Sequence, residues 1–211
     1  MSLQAYLKMF GPTVVDLTIR HILLFAVAFA AAGILGLLLG IAAHRARSQT
    51  LLVQAINLLQ ATPEIVLLAL AIPFLGIGYT GALVPLFVKG VLPVLQNTMS
   101  GLAAVDPNLK EAARGMGMTE RQIFLKVELV SATPAVLAGL RVSAVMLMSI
   151  ITLTAYIGVE SLGTLILQGI ARMDPNALLV GSALAAMLAV IVNQVMLLLE
   201  RRAAYTVGLQ S

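Results

Sequence analysis

The sequence predicts an all-α polytopic membrane protein, with five transmembrane helices arranged around one helical loop on the inner side. Three observations predict it. Of 211 residues, 60% are apolar and only 10% are charged, which lies outside the composition of soluble globular chains. Apolar runs of about 20 residues recur five times, each long enough to cross the hydrocarbon as a helix. Between the third and fourth runs lies Ala104 to Ser131, the most charged interval of the chain. Cysteine is absent, which excludes a disulfide framework and a thiol metal site. Tryptophan, the strongest interfacial anchor, is absent too. The net charge of +4 is distributed by membrane side, so no nucleic-acid partner is expected.

Residues 1–21 mix Lys8, Asp16, Arg20 and His21 with Tyr6, Phe10, Val14 and Leu17. This pattern reads as an amphipathic lead-in at the membrane surface, with His21 at the end of a span. One transmembrane domain is expected over residues 22–199. Its first span is Ile22 to Ala43. Ala28-Phe29-Ala30 has the look of a leader cleavage site but sits inside the apolar run, so no cleavage is expected. Gly33, Gly36 and Gly40 offer small surfaces for helix packing, and His44, Arg45 and Arg47 form a basic exit. The second span lies within Leu51 to Leu75 and is interrupted at Ala61-Thr62-Pro63-Glu64, where proline removes a helix hydrogen bond. Gly76 to Gly81 forms an outer turn. The third span, Ala82 to Ala104, carries Lys89, Gln96 and Asn97. After a loop over about residues 105–133 the fourth span runs from Pro134 to about Ile157, with Arg141 near enough the surface to snorkel. Thr164 to Ile170 is too short to span and reads as a re-entrant or outer-surface helix. Asp174-Pro175-Asn176 caps the last span, Ala177 to Leu199, and residues 200–211 form an inner tail.

The loop contains two short helices. Asp106 is a good N-cap with Pro107 in the first helical position, and the helix runs through Leu109 to Ala113. Gly115 and Gly117 are expected to stop it. Thr119 and Gln122 then form a capping-box pair that starts a second helix. Glu111-Ala112-Ala113, Gly117 and the closing Val127-Glu128-Leu129-Val130 resemble the signature loop in the permease subunits of bacterial binding-protein-dependent ABC importers. Val127 and Val130 stand where that pattern has isoleucine and proline.

The resemblance implies the five-helix type I importer permease core. It also implies a coupling surface for an ATPase subunit at Glu111, Ala112, Ala113, Arg114, Gly115 and Gly117, and pairing with a second permease as homodimer or heterodimer. An extracytoplasmic binding protein would dock on the outer loops, at Gly78, Tyr79, Gly158, Glu160 and Gly163. Pro73 to Gly78, Ala104 to Pro107, Glu111 to Thr119, Ala155 to Gly158 and Leu162-Gly163 are similar to permeases for glycine betaine, choline, carnitine and related osmoprotectants. That likeness covers most of residues 15–200. Glu64 and Lys89 depart from the uncharged residues expected in that group.

Orientation follows from the basic residues. With the loop inside, eight fall on the inner side (Arg45, Arg47, Lys110, Arg114, Arg121, Lys126, Arg201, Arg202) and three outside (Lys8, Arg20, Arg172). The N-terminus is therefore expected outside and the C-terminus in the cytoplasm of a bacterial inner membrane. No P-loop motif occurs, so ATP and Mg are expected on the partner ATPase, with no cofactor and no metal on this chain, and an enzyme is the wrong class. Glu64, Lys89 and Asn97 are the candidate pathway residues, because intramembrane polar groups must face protein, water or a partner. Glu64 and Lys89 either pair, or Lys89 snorkels outward and leaves Glu64 neutral. Two other readings stay open: a permease for an amino acid such as methionine, and a self-sufficient secondary transporter using Glu64 and Lys89.

Overall fold

The computed structural model describes residues 2–45 and 49–206. Arg47, counted above among the inner basic residues, lies outside them, as do residues 207–211. The chain forms α1 (Leu3–His44), α2 (Gln49–Ala61), α3 (Glu64–Leu75), α4 (Tyr79–Ala103), α5 (Pro107–Gly115), α6 (Glu120–Ile123), α7 (Leu129–Leu153), α8 (Leu162–Ala171) and α9 (Pro175–Thr206). A wider π turn, Phe124–Glu128, joins α6 to α7, and a tight 3-10 turn, Thr154–Ile157, ends α7. Among the described residues no strand occurs. Four stretches are long and apolar enough to cross a membrane: Leu3–His44, Tyr79–Ala103, Glu120–Ile157 and Pro175–Tyr205. A fifth crossing is made if the α2–α3 pair, bent by 93°, counts as one.

The central helix is α4, packed between α1 and α7. Small residues allow the close approach, because in lipid helix association depends on packing rather than on expelling water. A Cβ added at Gly36 would lie 2.6 Å from Val94 Cβ and 2.9 Å from the Val91 carbonyl. Gly40 is as tight against Thr98 and Leu95, and Gly139 of α7 against Asn97 and Pro93. The buried Ser143 hydroxyl of α7 donates to the Gly90 carbonyl of α4 at 2.7 Å. Around this contact Ala32, Leu68, Leu86, Val91, Leu147 and Ile151 form the main apolar core. A second cluster joins Tyr6, Val14 and Leu17 of α1 to Leu162, Leu165, Ala177 and Val180 of α8 and α9.

That second cluster shows how the N-terminal segment packs. The surface lead-in and the first span are one helix of 42 residues, about 63 Å long. Nothing breaks it at Arg20 and His21. Arg20 is paired with Asp16 and Glu160, and His21 is fully buried with neither ring nitrogen hydrogen-bonded. His21 is therefore packed inside the bundle, within an unbroken helix. The helix that carries the fourth span is longer than the span itself. It begins at Glu120 and passes through Pro134 without a break. Valine at 130 keeps a backbone N–H and an unrestricted φ, so the helix continues where a proline would favour an end. The last helix likewise runs on to Thr206, so most of the expected tail is helical. Arg141 does not simply snorkel. Its guanidinium forms an ion pair with Glu200 at 2.8 Å, off the angle of a hydrogen bond, and this ties α7 to α9.

The packing predicts unequal costs for adding one methyl. Gly36→Ala and Gly40→Ala should each lower stability by about 1–3 kcal/mol, as overpacking does. Gly33→Ala should cost less, because its Cβ would meet only the flexible end of Leu140, at 3.1 Å. Thermal unfolding of the three variants in detergent checks the ranking.

Candidate functional site

Three groups of residues carry the chemistry, one at each end of the bundle and one near its middle. The loop end is built by local capping. Asp106 accepts from the Asn108 N–H at 2.8 Å and Pro107 occupies the first turn. At the exit of α5, Gly117 N–H donates to Arg114 O at 2.9 Å and Met118 N–H to Ala113 O at 3.1 Å. This is the paired pattern of a Schellman motif, with Gly117 in the left-handed region at φ 79°. Gly115 does not share that role: it is the last helical residue, and Gly117 alone makes the reversal. Thr119 and Gln122 close the capping box from both sides.

Side chains then tie the knob together. Arg114 Nε donates to Glu120 Oε1 at 2.9 Å across the turn. The pair raises the pKa of Arg114 and lowers that of Glu120, mainly through this hydrogen bond. Lys110 meets Glu128 at 2.9 Å, and the Arg45 guanidinium lies 4.8 Å from the Phe124 ring centroid, joining the end of α1 to the knob. Ala113 and Ile123 are buried beneath it. Of the six expected coupling residues, Glu111, Ala112, Arg114, Gly115 and Gly117 are exposed. Ala113 faces inward and anchors the knob, so it offers no docking surface.

Near the middle, the α2–α3 break is held by Lys89. Its ammonium donates to the Gln60 and Thr62 carbonyls, each at 2.6 Å, and lies 3.5 Å from Glu64 Oε1. The reason is local. Pro63 forces Thr62 away from the helical region, which leaves the last carbonyls of α2 without intrahelical partners, and Lys89 supplies donors. Gln60 Nε2 also donates to Gln96 Oε1 at 3.1 Å. Lys89 therefore does not snorkel outward; it is buried and paired with Glu64 within one chain. Asn97 is not part of this group. It sits about two turns further along α4, donates to the Pro93 carbonyl at 2.9 Å and packs against Gly139. The carbonyls of Gln60 and Thr62 were missed as participants, although the Thr-Pro pair at the break was the signal for them.

At the opposite end, Gly78 N–H donates to Ile157 O at 2.7 Å, so the turn before α4 rests on the end of the α7 span. Gly76, Gly78 and Gly158 all have positive φ. Tyr79, Gly158 and Glu160 are exposed, and Glu160 meets Arg20 at 3.0 Å. Gly163 does not join this surface. It is buried where α8 crosses the Thr152 carbonyl, and a Cβ there would collide with that carbonyl. Among the described residues no three His, Cys, Asp or Glu side chains converge as metal ligands would.

Residues 13–205 match the family described as binding-protein-dependent transport system inner membrane component. The chain is 40% identical over 147 residues to the carnitine transport permease protein of Listeria monocytogenes, covering 70% of this chain and 67% of that one. It is 32% identical over 202 residues to the glycine betaine/carnitine/choline transport system permease protein of Bacillus subtilis, covering 95% and 93%. Among solved structures, an inward-facing form of the MetNI methionine ABC transporter superposes with a TM-score of 0.81 at 21% identity, covering 96% of this chain and 99% of that one. At that identity the likeness concerns the fold.

The two glycines of the knob should respond in opposite directions. Gly117→Ala places a Cβ in the left-handed region and should cost about 1–2 kcal/mol. Gly115→Ala meets no atom within 4 Å and should be neutral or gain up to about 1 kcal/mol. Hydrogen exchange at the Met118 amide, which closes the motif, reads both.

Proposed function

The chain belongs to the family of binding-protein-dependent transport system inner membrane components, and from that premise we propose that it is the permease of an ATP-driven osmoprotectant importer. Its cargo in this reading is a small quaternary amine of the glycine betaine, choline and carnitine type. The substrate class is carried over from relatives whose names state it. Hydrolysis of ATP belongs to a separate ATPase subunit, and cargo arrives from an extracytoplasmic binding protein.

The observation that carries this reading is the doubly capped knob. It presents Glu111 and Ala112 to solvent at the end of the bundle that holds Arg45, Lys110, Arg114, Arg121, Lys126, Arg201 and Arg202. A short helix fixed by caps at both ends is a rigid part on which another protein can push. A small residue beside a carboxylate allows close docking with one charged contact. By the basic-residue rule this end lies in the cytoplasm and the N-terminus outside. Two permeases, identical or different, would line the path between them. Gly78, Tyr79, Gly158 and Glu160 form the surface offered to the binding protein. Closure of the ATPase pair would push on α5, and the spans would rock between inward- and outward-open arrangements.

Gentle purification of the tagged chain from its native membrane, with partners identified by mass, tests this reading. An ATPase carrying a P-loop is expected at one copy per permease. Glu111→Arg should reduce its recovery about tenfold or more, the size of an interface hot spot, with the permease still folded. A chain recovered alone that transports under an ion gradient without ATP would contradict the proposal.

A further inference from the structure

The broken span leaves one charged group only partly used. Lys89 is the eleventh residue of the 25-residue α4, about 15 Å along the helix from Tyr79, and so lies near mid-depth in the membrane. Its ammonium is committed to Gln60, Thr62 and Glu64. Glu64 is not committed in the same way. It meets Lys89 at 3.5 Å along one edge, while 38% of its side chain remains exposed. Ala61, Pro63 and Ile65 beside it are exposed as well, and Thr62 is half-buried. Non-helical backbone at membrane depth persists only where protein covers it or where it lines water. An ionised carboxylate at that depth avoids lipid for the same reason.

Resting on the importer reading above, we infer that Glu64 is the group within the membrane that receives the cationic end of the transported molecule. Lys89 is its positioning residue. It holds the break open, fixes the Glu64 carboxylate from behind and is itself shielded from the path. The arrangement suits a quaternary ammonium group, which has no N–H to donate and is recognised by charge. It also suits a transient stop. The Glu64–Lys89 pair is neutral as a whole, so the free carboxylate edge attracts a cation weakly enough to release it, as conduction requires. A buried lysine that reached the path would repel the same cargo, and here it is turned away onto backbone carbonyls. Such an intramembrane carboxylate adds charge selection beyond that of the binding protein.

The test uses the full complex of permease, ATPase and binding protein in lipid nanodiscs. The chain has no cysteine, so Ala61→Cys introduces a single thiol beside Glu64 and leaves the ion pair intact. Two water-soluble methanethiosulfonate reagents are compared, one bearing trimethylammonium and one bearing sulfonate. The thiol should react in at least one nucleotide state. Adding Glu64→Gln should lower the ratio of cationic to anionic reaction rates roughly 30-fold, since a unit charge in water at a separation of about 4 Å attracts one reagent by about 1 kcal/mol and repels the other by as much. Glu64→Gln in the cysteine-free chain should reduce choline uptake about tenfold, with partial rescue by Glu64→Asp and with complex assembly verified by mass.

The inference is overturned if the thiol at 61 reacts with neither reagent in any nucleotide state. It is also overturned if Glu64→Gln takes up choline at the wild-type rate. If the wild-type complex carries none of choline, glycine betaine or carnitine while the rate ratio falls as expected, the charge site stands and the osmoprotectant assignment fails. Ile65→Cys is the second reporter should the variant at 61 fail to assemble.

Discussion

The structure depends on satisfying the backbone where the second crossing breaks. In the hydrocarbon an unpaired carbonyl costs several kcal/mol, since no water is available to bond it. Lys89 meets that demand with two short hydrogen bonds, to Gln60 and Thr62. A buried ammonium would be costly alone, but here carbonyl oxygens and the Glu64 carboxylate surround it. The position of α4 makes this possible. Gly36, Gly40 and Gly139 bring α1 and α7 within backbone distance of it, so α4 runs through the centre of the bundle and Lys89 reaches the break from there.

The long helix of the fourth span connects the ends. Glu120–Ile157 is one run of 38 residues, about 57 Å, which begins in the knob and stops where Ile157 accepts from the Gly78 N–H. A push on α5 and α6 therefore enters the same helix that supports the opposite turn. The π turn at Phe124–Glu128 is the place along this lever where the helical ladder loosens, and such turns are common at functional sites. The packed core of Leu147, Ile150 and Ile151 against Ala32, Leu86 and Val91 joins this helix to α1 and α4.

Local rules were readable in the sequence, and tertiary ones were not. The Asp106 cap, the Thr119–Gln122 box and the interruption at Pro63 each depend on a few neighbouring residues, and the fold carries all three. The helix boundaries depended on distant packing. The packing of Arg20 and His21 was not readable, because their surroundings, Glu160 and the core, are far away in sequence. Ala113 looked like surface because nothing local shows which face of a short helix turns inward. Gly163 looked like a loop residue for docking, whereas its small size serves the crossing of α8 over Thr152. Asn97 has the same polarity as a pathway residue but is used on its own helix. The charges of Glu64 and Lys89 were visible at once. Their arrangement was not, since it requires knowing that α4 faces the break.

The most direct measurement of the central constraint is hydrogen exchange across residues 56–68 in the purified permease, wild type against Lys89→Met. Val66 and Leu67, whose amides bond to the Pro63 carbonyl, report the first turn of α3. Faster exchange there by at least about tenfold in the variant, with the Glu120–Ile157 helix unchanged, is the result expected if the ammonium holds the break. Equal exchange in the two proteins would contradict it and would show that packing alone sets the bend.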